Sequence, residues 1–398
     1  MKRGEIEELK KRIAASETEI AVLSSRRRLA GALDLKADIA SPTLTGTPAA
    51  PTAAVNTNTT QIATTEYVDR TSREKLAAAR TYYVRTDGSD SNTGLANTAG
   101  AAFLTIQNAI NAAATLDTNG YVLTISVASG TYAGSVSFKN VHGAYGAGAC
   151  KLVGDTTTPA NVVISSSVIT DGLNTPWYFE GFKITSTGYI ASYRNSILFV
   201  GDIEMAGTTS NFRVATGGQM LCGLGNLTIS GAARLIELYN EGGMFNFSSI
   251  TVTYVGCPNH TNAFANANYI GMTYLNAVTF VYPSVTFASG TDRCTLTAHG
   301  RAANDPVSFQ TTGAMPNPLV AGTTYYVKTV VDANTITLSA TAGGALIDLT
   351  TDGSGCTAMP VGTRYRASAN SIVFVNGGGA TYLPGNSAGI LATQGQYF

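Results

Sequence analysis

Pairs of apolar residues separated by one residue recur at a regular interval through the middle of the chain. Successive pairs lie 26, 20, 21, 24, 23 and 28 residues apart. This interval is about one turn of a three-sided solenoid of parallel strands, in which inward side chains stack from turn to turn at about 4.8 Å. The pairs are Val136/Phe138, Val162/Ile164, Phe182/Ile184, Ile203/Met205, Leu227/Ile229, Ile250/Val252 and Val278/Phe280.

A second apolar set precedes most of these pairs by a few residues and predicts a second face of the same coil. Because strand spacing alone does not give pairing direction, an antiparallel sandwich remains an alternative. The second set is Phe179, Phe199, Leu221, Phe245 and Met272.

The composition agrees with an all-β chain. Apolar residues make up 44% of the 398 residues, which is enough for a core, and the 42 glycines suit a turn-rich protein. Charged residues make up 13% with zero net charge, so neither nucleic acid nor an anionic membrane is an expected partner. No apolar run reaches about 18 residues and the N-terminus is charged, so we expect synthesis in a cytoplasm without membrane insertion or Sec export.

Residues 1–37 are predicted to form a coiled coil, because apolar residues occupy both heptad positions. In this register a parallel partner pairs Glu5 with Lys10 and Arg12 with Glu17. So short a helix needs partner chains, although its Ile/Leu arrangement alone favours a dimer over a trimer. The alternative is an amphipathic helix packed on its own chain. The predicted oligomerisation residues are Ile6, Leu9, Ile13, Ile20 and Leu23.

Residues 38–80 are rich in Thr, Pro and Ala and read as an extended segment, followed by a short helix around 73–80. The stretches ASPTLTGTPAAPT and TQIATTEYV resemble the shaft segment of tailed-bacteriophage tail fibres. The resemblance implies an extended or intertwined trimeric shaft.

Residues 81–282 are predicted to be a capped parallel coil. In YYVRTDGSDSNTGLANTAGAAFLTIQNAINAA, Phe103, Ile106 and Ile110 recur at helical spacing. This block resembles the opening of pectate-lyase-like β-helix proteins, where such a helix covers the open end. The resemblance implies a right-handed parallel β-helix of the pectin-lyase-like class, which occurs in enzymes and inert spikes alike.

Residues 283–360 break the interval and are predicted to form a small inserted β module, which resembles a module found in many phage structural proteins. Its Cys294 and Cys356 are candidates for a disulfide under oxidising conditions. Cys150, Cys222 and Cys257 are expected to be buried free thiols. Residues 361–398, with GTRY and YLPGNSAG, resemble the closing segment of phage β-helix fibres, which ends the coil or joins three chains at the tip.

Acidic residues are scarce in the predicted coil. Glycosidases need two carboxylates about 5–9.5 Å apart, and pectate-type lyases need acidic calcium ligands and a base. Asp202 and Glu204 flank Ile203 and are the catalytic candidates. Aligning the turns, however, puts Glu204 beside Lys183 in an outward column of threonines, which is ordinary solenoid surface. The same column continues as Thr228, Thr251 and Thr279.

Other side chains give little support for catalysis. Glu237 and Glu241 are expected in a solvated loop, and the three histidines share no ligand spacing, so no metal or cofactor is predicted. The glycine runs lack the context of a phosphate-binding loop. Some aromatic residues could stack on sugar rings if they are exposed. The histidines are His142, His260 and His299, and the aromatic residues are Trp177, Tyr189, Tyr193 and Tyr239.

Together these features predict a homotrimeric virion appendage, a phage tail fibre or spike subunit made in the bacterial host cytoplasm. Its N-terminus would dock on baseplate, tail or neck proteins, and its body would attach to a host surface glycan or envelope protein. The residues favour a protein without enzymatic activity. The alternatives are a polysaccharide depolymerase, acting as a glycan hydrolase or lyase, and a purely structural collar or neck fibre.

Overall fold

The computed structural model describes residues 2–34, 46–54, 57, 59–71, 73–185, 187–207, 210–223, 225–231 and 234–398. Two compact units make up the chain, Met1–Ser72 and Arg73–Phe398. Residues 35–37 of the predicted coiled coil and 38–45 of the predicted shaft lie outside the described residues. The expected β-rich class is confirmed, because strands account for 38% of the residues and helices for 12%.

In its described residues, the first unit contains helices α1 (Arg3–Asp34) and α2 (Thr65–Thr71). Helix α1 has no proline and is rich in Ala, Leu, Glu, Lys and Arg, which favour helix. Its predicted oligomerisation stripe is 40–64% exposed and is therefore not buried by its own chain. None of the helices in the described ranges is long and apolar enough to cross a membrane.

The short helix expected around residues 73–80 is wrong. Lys75 forms a parallel bridge with Asp117, the Leu76 amide donates to the Asp117 carbonyl at 2.8 Å, and Leu76 is buried. Backbone pairing and burial of one apolar side chain thus override the helix propensity of this Ala-rich stretch. The helix in this part of the chain lies earlier, at α2, where the Thr64 hydroxyl accepts from the Tyr67 amide at 3.2 Å.

The second unit is built from strands, with the helix α3 (Ile106–Ala113) and a 3₁₀ turn at Pro159–Asn161. In chain order the first strands are β1 (Arg80–Val84), β2 (Leu123–Val127), β3 (Gly130–Tyr132), β4 (Val136–Ser137), β5 (Cys150–Val153), β6 (Val162–Ile164), β7 (Val168–Asp171), β8 (Trp177–Ile184), β9 (Ile190–Tyr193) and β10 (Ile197–Met205). Next come β11 (Ser210–Ala215), β12 (Gln219–Cys222), β13 (Leu227–Ile229), β14 (Arg234–Glu241), β15 (Met244–Ser248), β16 (Thr251–Tyr254), β17 (His260–Asn268), β18 (Met272–Asn276) and β19 (Thr279–Val281). The last are β20 (Thr286–Ala288), β21 (Arg293–Thr295), β22 (Pro306–Thr311), β23 (Thr324–Asp332), β24 (Thr335–Ser339), β25 (Cys356–Met359), β26 (Thr363–Ala367), β27 (Ile372–Phe374), β28 (Ile390–Leu391) and β29 (Gln396–Tyr397).

Among the described residues these strands form three sheets. Sheet A has two arms that share β8 and β10: the first arm runs β1-β2-β5-β8-β10-β12-β15-β18-β27-β29 and the second runs β3-β6-β8-β10-β13-β16-β19. Sheet B runs β28-β26-β17-β14-β11-β9-β7-β4. All strand pairs in sheets A and B are parallel, which excludes the antiparallel sandwich.

From β8 to β19 the chain visits the first arm of sheet A, its second arm and, until β17, sheet B, in the same order on each pass. Strands β8 and β10 bend between the arms, at Gly181 with φ +82° and at Asp202 with φ +48°. A Cβ at Gly181 would lie 2.8 Å from the backbone of Asp155, so glycine is required there. The side chains between the sheets form one apolar core.

The predicted register of the second arm is correct between Phe182 and Leu227 and again between Thr251 and Thr279, and it is wrong for the step from Leu227 to Ile250 and for Val136. Ile203 pairs with Phe182 and Leu227, as expected. Leu227, however, pairs with Val252 and not with Ile250. The pair at Val136 belongs to sheet B, where it faces Val168. Because turns between strands differ in length, a fixed interval does not locate the register at these positions.

In the first arm, the predicted inward set is wrong for Phe199, Leu221 and Met272. Phe199 pairs with Leu221 on the outward side, whereas their neighbours in sequence are the buried residues of the core. A shift of one residue moves a side chain to the opposite face of a strand. The inward columns are Trp177–Leu198–Met220–Phe245 and Phe179–Val200–Cys222–Phe247.

Helix α3 covers part of the core near β1, β2 and β4, as the amphipathic pattern predicts. Thr105 caps its N-terminus, accepting from the Asn108 amide at 3.2 Å. Ile106 and Ile110 are buried. Phe103 is also buried but precedes the helix, and packs its ring 5.5 Å from that of Tyr82.

Sheet C is antiparallel, in the order β20-β21-β24-β23-β22-β25, and its strands lie within the predicted inserted module. Its end strands also meet, because Ser284 bridges Thr357 and the Val285 amide donates to the Cys356 carbonyl at 2.9 Å. Sheets A and B continue after the insertion: β26 pairs with β17 and β27 pairs with β18. The C-terminal segment therefore extends the parallel sheets.

The register predicts different outcomes for two phenylalanines on adjacent strands. Phe179→Ala removes a fully buried ring that stacks 4.6 Å from Phe182, and should lower the free energy of unfolding by about 3–5 kcal/mol. Phe199→Ala removes an outward ring that contacts Tyr178, and should cost about 1 kcal/mol. Denaturant unfolding of both variants measures the difference, and equal losses would show that the inward column is misassigned.

Candidate functional site

The outward side of sheet B carries a cluster of aromatic and charged side chains. In β9, β11 and β14 alternate residues point to opposite sides. Ile190, Phe212 and Leu238 are in register and buried. Residues one position before them, or one or three positions after them, form the cluster, which we name the Tyr–Arg patch: Tyr189, Tyr193, Arg213, Tyr239 and Glu241.

Arg213 is the centre of the Tyr–Arg patch. Its guanidinium carbon lies 5.3 Å from the ring centroid of Tyr189 and 5.3 Å from that of Tyr239. Such cation–π contacts contribute about 0.5–1 kcal/mol each at exposed sites. Glu241 completes the arrangement, because its carboxylate lies 3.8 Å from an Arg213 Nη and accepts from the Tyr239 hydroxyl at 2.6 Å. These contacts fix the side chains in place.

The local environment raises the pKa of two phenols of the patch, Tyr193 and Tyr239. Burial raises the pKa of Tyr193 to about 12, although nearby Arg213 acts in the opposite direction. Burial, together with the hydrogen bond to Glu241, raises the pKa of Tyr239 to about 12. Both phenols are therefore neutral hydrogen-bond donors at physiological pH. The Arg213 Nε is shielded from solvent and has no hydrogen-bond partner in the described part of the chain.

A shallow groove of about 580 Å³ adjoins the patch, bordered by Glu241, Asn195, Thr216 and the exposed Tyr269. Arg194 beside it makes a two-pronged ion pair with Asp171, which lowers the pKa of that carboxyl. Aromatic faces stack on the C–H groups of sugars, and paired charged and phenolic groups bind hydroxyls. The patch and groove together have the chemistry of a saccharide-binding surface.

Three of the four aromatic candidates belong to this surface, and one does not. Trp177 is fully buried in the core, and its indole Nε1 donates to the Lys139 carbonyl at 2.9 Å. Sequence reasoning did not identify Arg213, which organises the tyrosines. Arg213 points outward from β11, between two strands that carry tyrosines. This position can be recognised in the sequence only when the register of sheet B is known.

The catalytic candidates Asp202 and Glu204 have different surroundings. Glu204 accepts from Lys183 Nζ at 2.7 Å and from the Ser230 hydroxyl at 2.7 Å, which confirms the predicted pair with Lys183. Its outward column continues as Thr228 and Thr253, not Thr251. Asp202 lies at the bend of β10 and accepts from the Asn226 amide at 3.1 Å.

An acidic neighbour of Asp202 was not identified from the sequence. Glu180 precedes the bend of β8, one strand away, and pairs in register with Gly201. Burial raises the pKa of Glu180, Lys151 opposes the rise, and the negative charge of Asp202 adds to it. A carboxyl with a raised pKa close to a second acidic residue is an arrangement that acid–base chemistry uses.

The solvated loop expected for Glu237 is wrong. Glu237 and His260 lie on β14 and β17 and are 1% and 0% exposed. Glu237 accepts from Asn211 Nδ2 at 2.7 Å, and the Tyr254 hydroxyl lies 3.2 Å from His260 Nε2. Glu241 is also on β14, in the Tyr–Arg patch. The polar side chain of Glu237 predicts an exposed position. In the structure, hydrogen bonds compensate the cost of burying it.

The remaining histidines and the thiols are structural. His299 is buried, with its ring nitrogens 2.9 Å from the Arg301 amide and from the Asp332 carbonyl, while His142 is exposed. The cysteines are buried free thiols, and burial raises the pKa of Cys150 to about 12. Residues 284–288 run between the strands that carry Cys294 and Cys356. The disulfide between these two cysteines stays a prediction for oxidising conditions.

Comparison of the chain with known protein families, with curated protein sequences and with solved structures finds no match. In the described ranges, no three His, Cys, Asp or Glu side chains come together in a group that could hold a metal ion.

Proposed function

We propose that the chain is one subunit of a homotrimeric appendage of a tailed-phage virion, which attaches to a host surface glycan through a parallel β-helix body. The repeated order in which the chain visits the arms of sheet A and sheet B supports the β-helix. We propose that the β-helix is right-handed, because nearly all parallel crossover connections have that handedness. The N-terminal unit is the part that docks on baseplate, tail or neck proteins.

The observation that carries the attachment proposal is the Tyr–Arg patch. Two tyrosine rings flank one guanidinium on the outward side of a parallel sheet, and a carboxylate approaches the same guanidinium, so these contacts hold the side chains together at the surface. Saccharide ligands bind weakly to single shallow sites. Three copies on one rigid assembly raise the overall affinity by effective concentration.

The trimer itself is supported by the exposed stripe of α1. An apolar stripe at heptad spacing along a helix of 32 residues is stable in water when it packs against copies of itself. Three chains, in place of the two that the Ile/Leu order favours, is the number implied by the resemblance of the shaft segment.

The oligomerisation proposal predicts that a charge in the stripe dissociates the assembly. Ile13→Asp with Ile20→Asp should weaken association at least about tenfold, since each carboxylate would be buried against partner helices. Sedimentation equilibrium should give three times the 41.2 kDa chain mass for the wild type and less for the variant. Val22→Asp, on the same helix outside the stripe, is the control, and a monomeric wild type would refute the proposal.

The attachment proposal predicts that the Tyr–Arg patch determines glycan binding. Arg213→Gln and Tyr239→Ala should each weaken binding to the recognised polysaccharide at least about tenfold on an array of bacterial surface glycans, because multivalency amplifies each loss. Tyr178→Ala is the matched control: that ring also has a cation nearby, Lys151 at 5.6 Å, but lies on sheet A. Equal effects of all three variants would contradict the assignment.

A depolymerase is the second candidate, favoured by the raised pKa of Glu180 beside Asp202. Attachment without catalysis predicts that the pure protein leaves the viscosity of capsular or lipopolysaccharide glycan unchanged. A fall in viscosity that Glu180→Gln and Asp202→Asn abolish would establish the enzyme instead. Glu204→Gln is the control, since Lys183 and Ser230 already hold that carboxylate.

A further inference from the structure

A cleft of about 610 Å³ lies where the end of the second arm of sheet A, sheet C and the C-terminal segment meet. Its size is within the range of small-ligand sites, about 300–1,000 Å³. The residues come from four separate parts of the chain, so the cleft exists only because the module is inserted between β19 and β26. Those with the relevant chemistry are Thr279, Phe280, Gln310, Arg364, Thr381 and Tyr382.

One wall of the cleft is aromatic. The rings of Phe280 and Tyr382 meet edge to face, with centroids 5.7 Å apart. The Tyr382 hydroxyl donates to the Val278 carbonyl, which ties the C-terminal segment to the sheet and fixes the ring. Preorganised aromatic surface of this kind accepts the C–H face of a sugar ring at little cost in conformational entropy.

The charge in the cleft is unbalanced. Arg364 is the charged residue among those that line it, and within the described ranges no carboxylate forms an ion pair with Arg364. One Arg364 Nη donates to the Ser387 carbonyl at 3.2 Å, whereas the Nε is shielded from solvent and has no partner in the described part of the chain. A buried donor without an acceptor costs about 1–3 kcal/mol.

Arg364 is half-buried and lines the cleft from β26. Burial raises the pKa of Tyr282, another residue of the cleft, and the positive charge of Arg364 partly offsets that rise. A carboxylate is the ligand group that a guanidinium binds most specifically, because the two planar groups match in geometry.

We propose that this cleft binds a carboxylate-bearing saccharide unit of the uronic acid type. Arg364 holds the carboxylate, Phe280 and Tyr382 pack on the ring face, and Gln310, Thr279 and Thr381 bind hydroxyls. The site is separate from the Tyr–Arg patch and does not depend on it. It differs from the patch in chemistry, since Arg213 already has a carboxylate partner in Glu241, whereas no carboxylate among the residues that the structure describes pairs with Arg364.

The test compares two ligands that differ in one group, methyl β-glucuronide and neutral methyl β-glucoside, by titration calorimetry on the full chain. The glucuronide should bind at least about tenfold more tightly than the glucoside. Arg364→Gln should abolish this preference. Arg366→Gln is the matched control, because it removes the same charge two residues along β26, where the side chain is exposed and contacts Asn262.

Two further variants keep the test informative if Arg364→Gln does not fold. Gln310→Ala and Thr381→Ala should each weaken both ligands several-fold without changing their ratio. Equal affinity for the two ligands, no binding of either at millimolar concentration, or an equal loss in Arg366→Gln would overturn the cleft proposal.

Discussion

The parallel hydrogen-bond ladder between successive passes of the chain is the constraint on which the second unit depends. A strand in the middle of a sheet bonds to the strand before it and the strand after it, so one register is passed along the whole sheet. The inward columns are then mostly apolar from one level to the next, as in Trp177, Leu198, Met220 and Phe245. The same ladder explains how a module can be inserted without loss of the core: β26 resumes pairing with β17 as if residues 283–360 were absent.

The repeat interval made the fold class readable from the sequence, but it did not fix the register. Phe199 and Leu221 are apolar and close to the inward columns, so the pattern assigns them to the core, although both point outward. The two-residue offset at Val252 has a different origin, because the connection before it differs in length from the previous ones. The pair of Lys183 and Glu204 was predictable, since it lies where the apolar pairs already determine the alignment.

The candidate site was less predictable than the fold, for a physical reason. Outward positions are not selected for hydrophobicity, so sequence periodicity carries no information about which of them meet. Tyr189, Tyr193 and Tyr239 were visible as aromatics, but their convergence on Arg213 follows from the register of sheet B. Burial of Glu237 was hidden for the opposite reason, because its partner Asn211 lies 26 residues away on the neighbouring strand.

Zero net charge and few charged groups limit how such a surface can recognise a ligand. Without a long-range field there is little electrostatic steering, so on the attachment proposal association with a glycan would proceed at an ordinary diffusional rate. Specificity must then come from short-range groups held in place, and paired charges such as Arg213 and Glu241 supply hydrogen bonds without a net field. A rigid scaffold of parallel strands is suited to this, because it fixes the spacing of outward side chains from one pass to the next. On the cleft proposal Arg364 is the exception, because no carboxylate in the described ranges pairs with it and the shielding of its Nε from water would strengthen its interaction with one anionic group.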